Sequence, residues 1–216
     1  VLTDSQEAVM RRPAGAKIFL EGPAGTGKTT AGVARMLHLL ESGVAARFML
    51  VLVPQRTLAA PYYEALGQPK RRPGGRVTVA TVGGVARRMV DLFWPLVAEE
   101  AGFGYPDQPP TFLTLETAQY YMARVVRPLL GKGFFESVVI DRNRLYSQVL
   151  DNLNKAAGVG FPHTQIGQRL RAASMGDETQ ARIYDEAQPC AINFREYCLA
   201  HNLLDFSLQV EVFLKH

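Results

Sequence analysis

Eight residues constrain this chain more than any others: Gly22-Pro23-Ala24-Gly25-Thr26-Gly27-Lys28-Thr29. They match the pattern G-x-x-x-x-G-K-[ST]. Before them lies the short apolar run Lys17-Ile18-Phe19-Leu20-Glu21; after them comes a segment of helical periodicity from Lys28 to Ser42, stopped by Gly43. Strand, glycine turn and helix in that order open a parallel α/β unit, which is the context in which the pattern marks a phosphate-binding loop. Glycines at 22, 25 and 27 let backbone N–H groups converge on a β-phosphate, and the helix N-terminus adds its partial positive charge. Lys28 would reach the β- and γ-phosphates, and the Thr29 hydroxyl would join the shell of a Mg²⁺ ion. The residues expected to hold a nucleoside triphosphate are therefore Gly22, Pro23, Ala24, Gly25, Thr26, Gly27, Lys28, Thr29 and Thr30, with Lys28 and Thr29 in the catalytic role. The alternative, a glycine-rich turn with an incidental lysine, leaves the flanking strand and helix unexplained.

The segments that follow continue the alternation. Phe48–Val53 is an apolar run ended by Pro54, as expected of a central strand buried on both faces. A helix is expected over Arg56–Leu66. The basic turn Lys70–Arg76 then leads to a third strand, Val77–Thr81, and Gly83-Gly84 opens a helix reaching Val97. Gly102–Pro110 combines turn formers with prolines and reads as a connection between subdomains. Beyond it, periodicity predicts helices near 115–130, 142–157, 163–173, 178–201 and 205–216, the first capped by Thr114. The expected division is an α/β part over 1–101 and a helical part over 102–216.

Charge follows the same division. The first 96 residues carry 13 Lys and Arg against 6 Asp and Glu, whereas residues 97–216 carry 11 against 14. A basic first part suits nucleotide phosphates or nucleic acid, although a solvated Arg-rich surface has the same composition. The two cysteines, Cys190 and Cys198, form no CxxC pattern and signal neither a disulfide framework nor a zinc site. No run approaches the about 20 apolar residues of a membrane span, and Val1–Ser5 is not a secretory signal. The chain is expected to be soluble, cytoplasmic and without a membrane partner.

Other segments, in order, resemble superfamily 1 DNA helicases of the UvrD/Rep type. Leu2-Thr3-Asp4-Ser5-Gln6-Glu7-Ala8-Val9 resembles the Q-motif of that family, in which a glutamine amide pairs with the adenine edge; Gln6 is the matching residue, and although the segment by itself reads equally well as an amphipathic first helix, its position 16 residues before Gly22 favours the motif. Val51–Ala59 stands where the family has motif Ia and Val79–Val85 where it has motif Ib, both of which contact single-stranded DNA. Leu203-Leu204-Asp205-Phe206 resembles the segment that closes the family's inserted helical subdomain, just before its acidic Walker B strand. The resemblance implies a P-loop NTPase of RecA-like fold, a partial parallel sheet carrying an inserted all-helical subdomain. It implies ATP and Mg²⁺ as cofactors, and single-stranded DNA or DNA junctions as partners.

Departures from the family pattern are equally specific. In Ia its threonine-phenylalanine-threonine-asparagine is replaced by Val53, Pro54, Gln55 and Arg56. In Ib only Thr81 matches, with Val82 and Gly83 in place of the aromatic and the histidine. Arg56 and Thr81 are the candidate DNA contacts, Arg56 reading equally well as a solvated helix start. No apolar strand ending in Asp-Glu follows the loop; the pair Asp185-Glu186 reads as a solvated helix face. The chain is therefore expected to be the N-terminal portion of a larger helicase, deficient in hydrolysis by itself, with the remainder of that helicase as a partner. A nucleotide-gated protein-interaction module, or a P-loop kinase, would share the loop.

Overall fold

The computed structural model describes residues 2–67 and 75–216. Most of the expected basic turn, Lys70–Gly74, lies outside the described residues. The chain divides into two compact units, Val1–Val82 and Gly83–His216.

In the first unit, helix α1 (Asp4–Met10) is opened by a capping box: Thr3 accepts from the Gln6 N–H, and the Gln6 side chain accepts from the Thr3 N–H. Helix α2 (Lys28–Glu41) follows the glycine loop. Strands β1 (Leu50–Leu52) and β2 (Thr78–Ala80) pair in parallel, Leu50 opposite Thr78, Val51 opposite Val79 and Leu52 opposite Ala80. Between them come a 3₁₀ turn at Arg56–Ala59 and helix α3 (Ala60–Leu66). Met36, Ala46 and Val77 form the buried centre, with Leu37, Val51 and Val79 packed around it.

Two expectations for this unit need correction. Lys17–Glu21 forms no strand and joins no ladder among the described residues, and Phe19 is 89% exposed. The run at 48–53 contributes a shorter strand than expected, its first residues being taken by a 3₁₀ turn at Ala46–Phe48, and it is not buried on both faces. Val51 turns toward α2, while Leu50 and Leu52 are each about half exposed, the period-2 pattern of a strand covered on one side.

The second unit begins earlier than the expected boundary at 101/102. Helix α4 (Val82–Leu92) and helix α5 (Trp94–Ala101) contribute Val90, Trp94 and Ala98 to its core. One helix was expected here. Pro95, in the first turn of α5, lacks the N–H that a continuous helix would use and its ring would clash with the preceding turn. Residues 102–110 are not a free connection either: Phe103 is buried against Trp94, and the Asn202 side chain accepts from the Tyr105 N–H and donates to the Tyr105 and Gln108 carbonyls.

The remaining elements are helical, as the periodicity predicts: α6 (Leu115–Leu130), α7 (Arg142–Val159), α8 (Ile166–Ala173), α9 (Glu178–Ala200) and α10 (Phe206–Lys215). Thr114 caps α6 through a capping box with Thr117. The unit is not all-helical, however. Strands β3 (Thr111–Phe112) and β4 (Leu203–Leu204) pair in parallel, tying the start of α6 to the end of α9. Helix α7 buries Leu145, Tyr146, Val149, Leu150 and Leu153, a three-to-four repeat facing a core that includes Met122 and Phe194. No helix among the described residues is long and apolar enough to cross a membrane.

Candidate nucleotide and nucleic-acid site

The loop at 22–27 is held in shape by its own side chains. Gly25 and Gly27 adopt φ of +81° and +79°, a region that costs other residues about 1–2 kcal/mol. The Thr26 hydroxyl donates to the Pro23 carbonyl at 2.9 Å, and it lies 2.9 Å from where a Cβ on Gly22 would stand. Gly22 is thus required by close approach, and Gly25 and Gly27 by backbone conformation. The Lys28 ammonium folds back over the loop and donates to the Gly22 and Pro23 carbonyls, both at 2.6 Å. It therefore stands at the mouth of the loop, at the first residue of α2.

Gly27 caps α2 without any side-chain hydrogen bond. The first N–H groups of a helix have no partner within it, so at Lys28, Thr29 and Thr30 they open toward solvent beside an ammonium. All three residues are exposed. Convergent N–H groups, a helix N-terminus and a lysine make a site for the oxygens of a phosphate chain. The Thr29 hydroxyl sits one residue along the same turn, suited to a cation's shell; among the described residues no cluster of three or more His, Cys, Asp or Glu could hold a metal by itself.

Gln6 comes to the loop from α1. Its side-chain N–H donates to the Thr26 carbonyl at 3.3 Å while its oxygen accepts from Thr3. A Cβ on Gly27 would fall 2.3 Å from the Gln6 Nε2, so the missing side chain at 27 makes room for the amide. What keeps α1 there is Arg35, a residue the sequence reading did not single out. Its guanidinium donates to the carbonyls of Val9, Arg12 and Pro13, at 3.1, 2.8 and 2.9 Å, satisfying the end of α1 from the flank of α2. The one available clue was a helix end at Arg11-Arg12-Pro13 whose carbonyls needed donors.

Arg56 and Thr81 also come together. In a parallel pair the carboxyl ends share one edge, and Arg56 follows β1 just as Thr81 follows β2. The Val53 N–H donates to the Ala80 carbonyl, extending the ladder to that edge, and the turn at 56–59 lies against β2. Ligands of open α/β sheets bind outside this edge. Arg56 is exposed and Thr81 half-buried.

Residues 3–92 match the DEAD/DEAH box helicase family model. The match covers the loop, both candidate strand ends and Gln6, and it supports a helicase-type P-loop domain of RecA-like fold with an ATP-using, nucleic-acid-dependent type of activity. DEAD/DEAH box proteins are typically superfamily 2, so the match carries the helicase-type domain and not the UvrD/Rep assignment. No curated protein matches the chain.

Four acidic residues of the second unit, Asp185, Glu186, Asp205 and Glu211, have partners within it. Asp185 pairs with Arg171, and Glu186 accepts from the Phe135 N–H at 2.6 Å while pairing with Arg182 at 2.9 Å. Glu186 is thus not on a solvated face as expected: its side chain is 14% exposed and supports Phe135, whose φ is +59°. Asp205, in the Leu-Asp-Phe segment, caps α10 through the Ser207 and Leu208 N–H groups and pairs with Arg195 at 3.1 Å, both side chains buried. Arg195 also reaches Glu211 at 3.0 Å, and Glu211 meets His163 at 3.1 Å. Burial alone would raise the Glu211 carboxyl, but the His163 hydrogen bond and the charges of Arg195, His163 and Lys215 outweigh it and hold Glu211 below the usual range.

Proposed function

We propose that this chain is the nucleotide-binding portion of an ATP-driven DNA helicase or translocase of the superfamily 1, UvrD/Rep-like type. The observation that carries the reading is the uncapped start of α2, where the Lys28, Thr29 and Thr30 N–H groups and the Lys28 ammonium share one side of a glycine loop. ATP would lie along Gly22–Thr30, with Gln6 beside its base and Thr29 in the shell of Mg²⁺. The metal supplies charge neutralisation at the phosphates when bound. Lys28 exchanges its two carbonyl acceptors for phosphate oxygens, and the loop needs no rearrangement of its positive-φ glycines to receive them.

Single-stranded DNA, or the strand of a junction, would run past the carboxyl edge of β1 and β2, with Arg56 on a phosphate and Thr81 beside it. Such contacts position a strand without reading its sequence. The exposed Phe19 segment, with the bare Leu50 and Leu52 face, supports a RecA-like sheet completed by further strands. The reading assigns those strands, the metal-holding carboxylates and a second RecA-like domain to the remainder of the helicase, with Gly83–His216 as its inserted, mainly helical subdomain. The test is ATP turnover by the full-length helicase that this reading implies, with and without single-stranded DNA, in the wild type and in Lys28→Ala. Stimulation by DNA that disappears in the variant supports the reading. DNA-independent turnover refutes it and favours a nucleotide-gated protein-interaction module or a P-loop kinase.

A further inference from the structure

The second unit carries a run of aromatic rings that extends beyond its core. Tyr121 of α6 and Tyr197 of α9 are half-buried, their centroids 5.7 Å apart, and both pack on the core. The rings that extend this pair outward do not. Tyr120 meets Tyr121 edge to face at 5.3 Å and is 60% exposed. His201 stacks on Tyr197 at 4.1 Å with 22° between the planes, and it too is exposed. Its Nδ1 lies 2.9 Å from the Tyr197 carbonyl. A carbonyl can only accept, so Nδ1 carries the proton and, in the neutral ring, Nε2 is left as an acceptor. The imidazole is therefore held in plane and in tautomer, with one face covered by Tyr197.

Charge surrounds this run unevenly. Arg124 and Arg127 are exposed one and two turns beyond Tyr120 on α6, and among the described residues neither makes an ion pair. Glu116 lies one turn before Tyr120 and Glu196 beside Tyr197, both exposed. A polyanion is thus drawn toward the Arg124 end and repelled from the Glu116 end.

We propose that Tyr120, Tyr121, Tyr197 and His201 form a stacking platform for the bases of a single-stranded nucleic acid, whose phosphates lie on Arg124 and Arg127. Flat rings tolerate every base, and rigid aromatics beside cations are the chemistry by which single strands are held without sequence preference. The Nε2 of exposed His201 offers a base amino group an acceptor. A duplex, whose bases are already stacked and paired, has no face to give the platform. The choice of ligand class rests on the helicase reading of the first unit; the geometry does not.

The test is binding of a fluorescein-labelled oligothymidylate to the full chain by anisotropy, together with ultraviolet crosslinking and mapping of the modified peptides. Tyr120→Ala and His201→Ala should each weaken binding roughly tenfold. Tyr120→Phe and His201→Phe, which keep a flat ring, should retain it. Arg124→Gln should lower the slope of log affinity against log salt by about one. Crosslinks should map to the peptides holding Tyr120 and His201. Crosslinks confined to residues 1–82, with the alanine variants unchanged, would overturn the platform and leave the helicase reading standing. Crosslinks at the platform, with ATP turnover of the full-length protein that ignores DNA, would uphold the platform and refute that reading. Absence of binding, or equal competition by duplex, would overturn the platform.

Discussion

Alanine at Gly25 and alanine at Gly27 carry the same backbone penalty but should not cost the same. Both glycines have φ near +80°, at +81° and +79°, so each substitution imposes about 1–2 kcal/mol of strain. A Cβ at Gly25 enters open space, whereas one at Gly27 falls 2.3 Å from the Gln6 Nε2. The amide must swing out, giving up its 3.3 Å bond to the Thr26 carbonyl and loosening its part in the Thr3 capping box. An exposed neutral hydrogen bond contributes about 0.5–1 kcal/mol, so Gly27→Ala should exceed Gly25→Ala by about 1 kcal/mol. In a Gln6→Ala background the amide is already gone, and the two glycine substitutions should then cost the same. Native-state hydrogen exchange of peptides from α1 and α2 reads the local opening free energy that this difference changes. Equal effects in the wild-type background, or a gap that persists without Gln6, would refute the account of why residue 27 has no side chain.

Three further outcomes follow from the second unit. Asp205→Ala removes the cap of α10 and strips a buried guanidinium of its most enclosed partner, so urea unfolding should show a loss of about 3–5 kcal/mol. Glu211 has a folded pKa below its unfolded value near 4.5, so it adds stability that is present above that pH and lost as pH falls through the folded value. Glu211→Gln should flatten the acid limb of a urea-midpoint profile, and an unchanged limb would assign acid lability elsewhere. Cys190, pushed up to about 12 by burial and by Glu186, and Cys198, also raised by burial, should resist iodoacetamide in the native chain and react on unfolding. Fast native labelling would contradict their buried placement.

The loop and its helix were legible because chemistry fixes their spacing: Gly25 and Gly27 must take positive φ, and Lys28 must start the helix. The helices of the second unit were legible from apolar repeats such as Leu145, Val149 and Leu153, and α6 from Thr114. The strands were overread. Lys17–Glu21 has strand composition, but a ladder needs a partner, which a short apolar run does not reveal; Phe48–Val53 does pair, but its strand spans only Leu50–Leu52 and is covered on one side. The division at Val82 was missed because Gly104, Pro106 and Pro109 look like a linker, while Asn202, distant in sequence, ties that loop into the core. Glu186 reads as a surface residue because periodicity shows which face a side chain is on, not that a neighbouring N–H such as that of Phe135 lies within its reach. Arg35 carried no local signal at all, since the carbonyls it holds belong to another helix.

Nucleotide binding at the start of α2 is the claim on which the rest depends, and isothermal titration of ATP with Mg²⁺ into the wild-type chain and into Lys28→Ala tests it directly. Lys28 gives charge-assisted hydrogen bonds worth about 1.5–3 kcal/mol each to phosphate oxygens, so the account predicts saturable binding that weakens at least tenfold in the variant. Equal affinity in the two proteins, or no binding in the wild type, would contradict it.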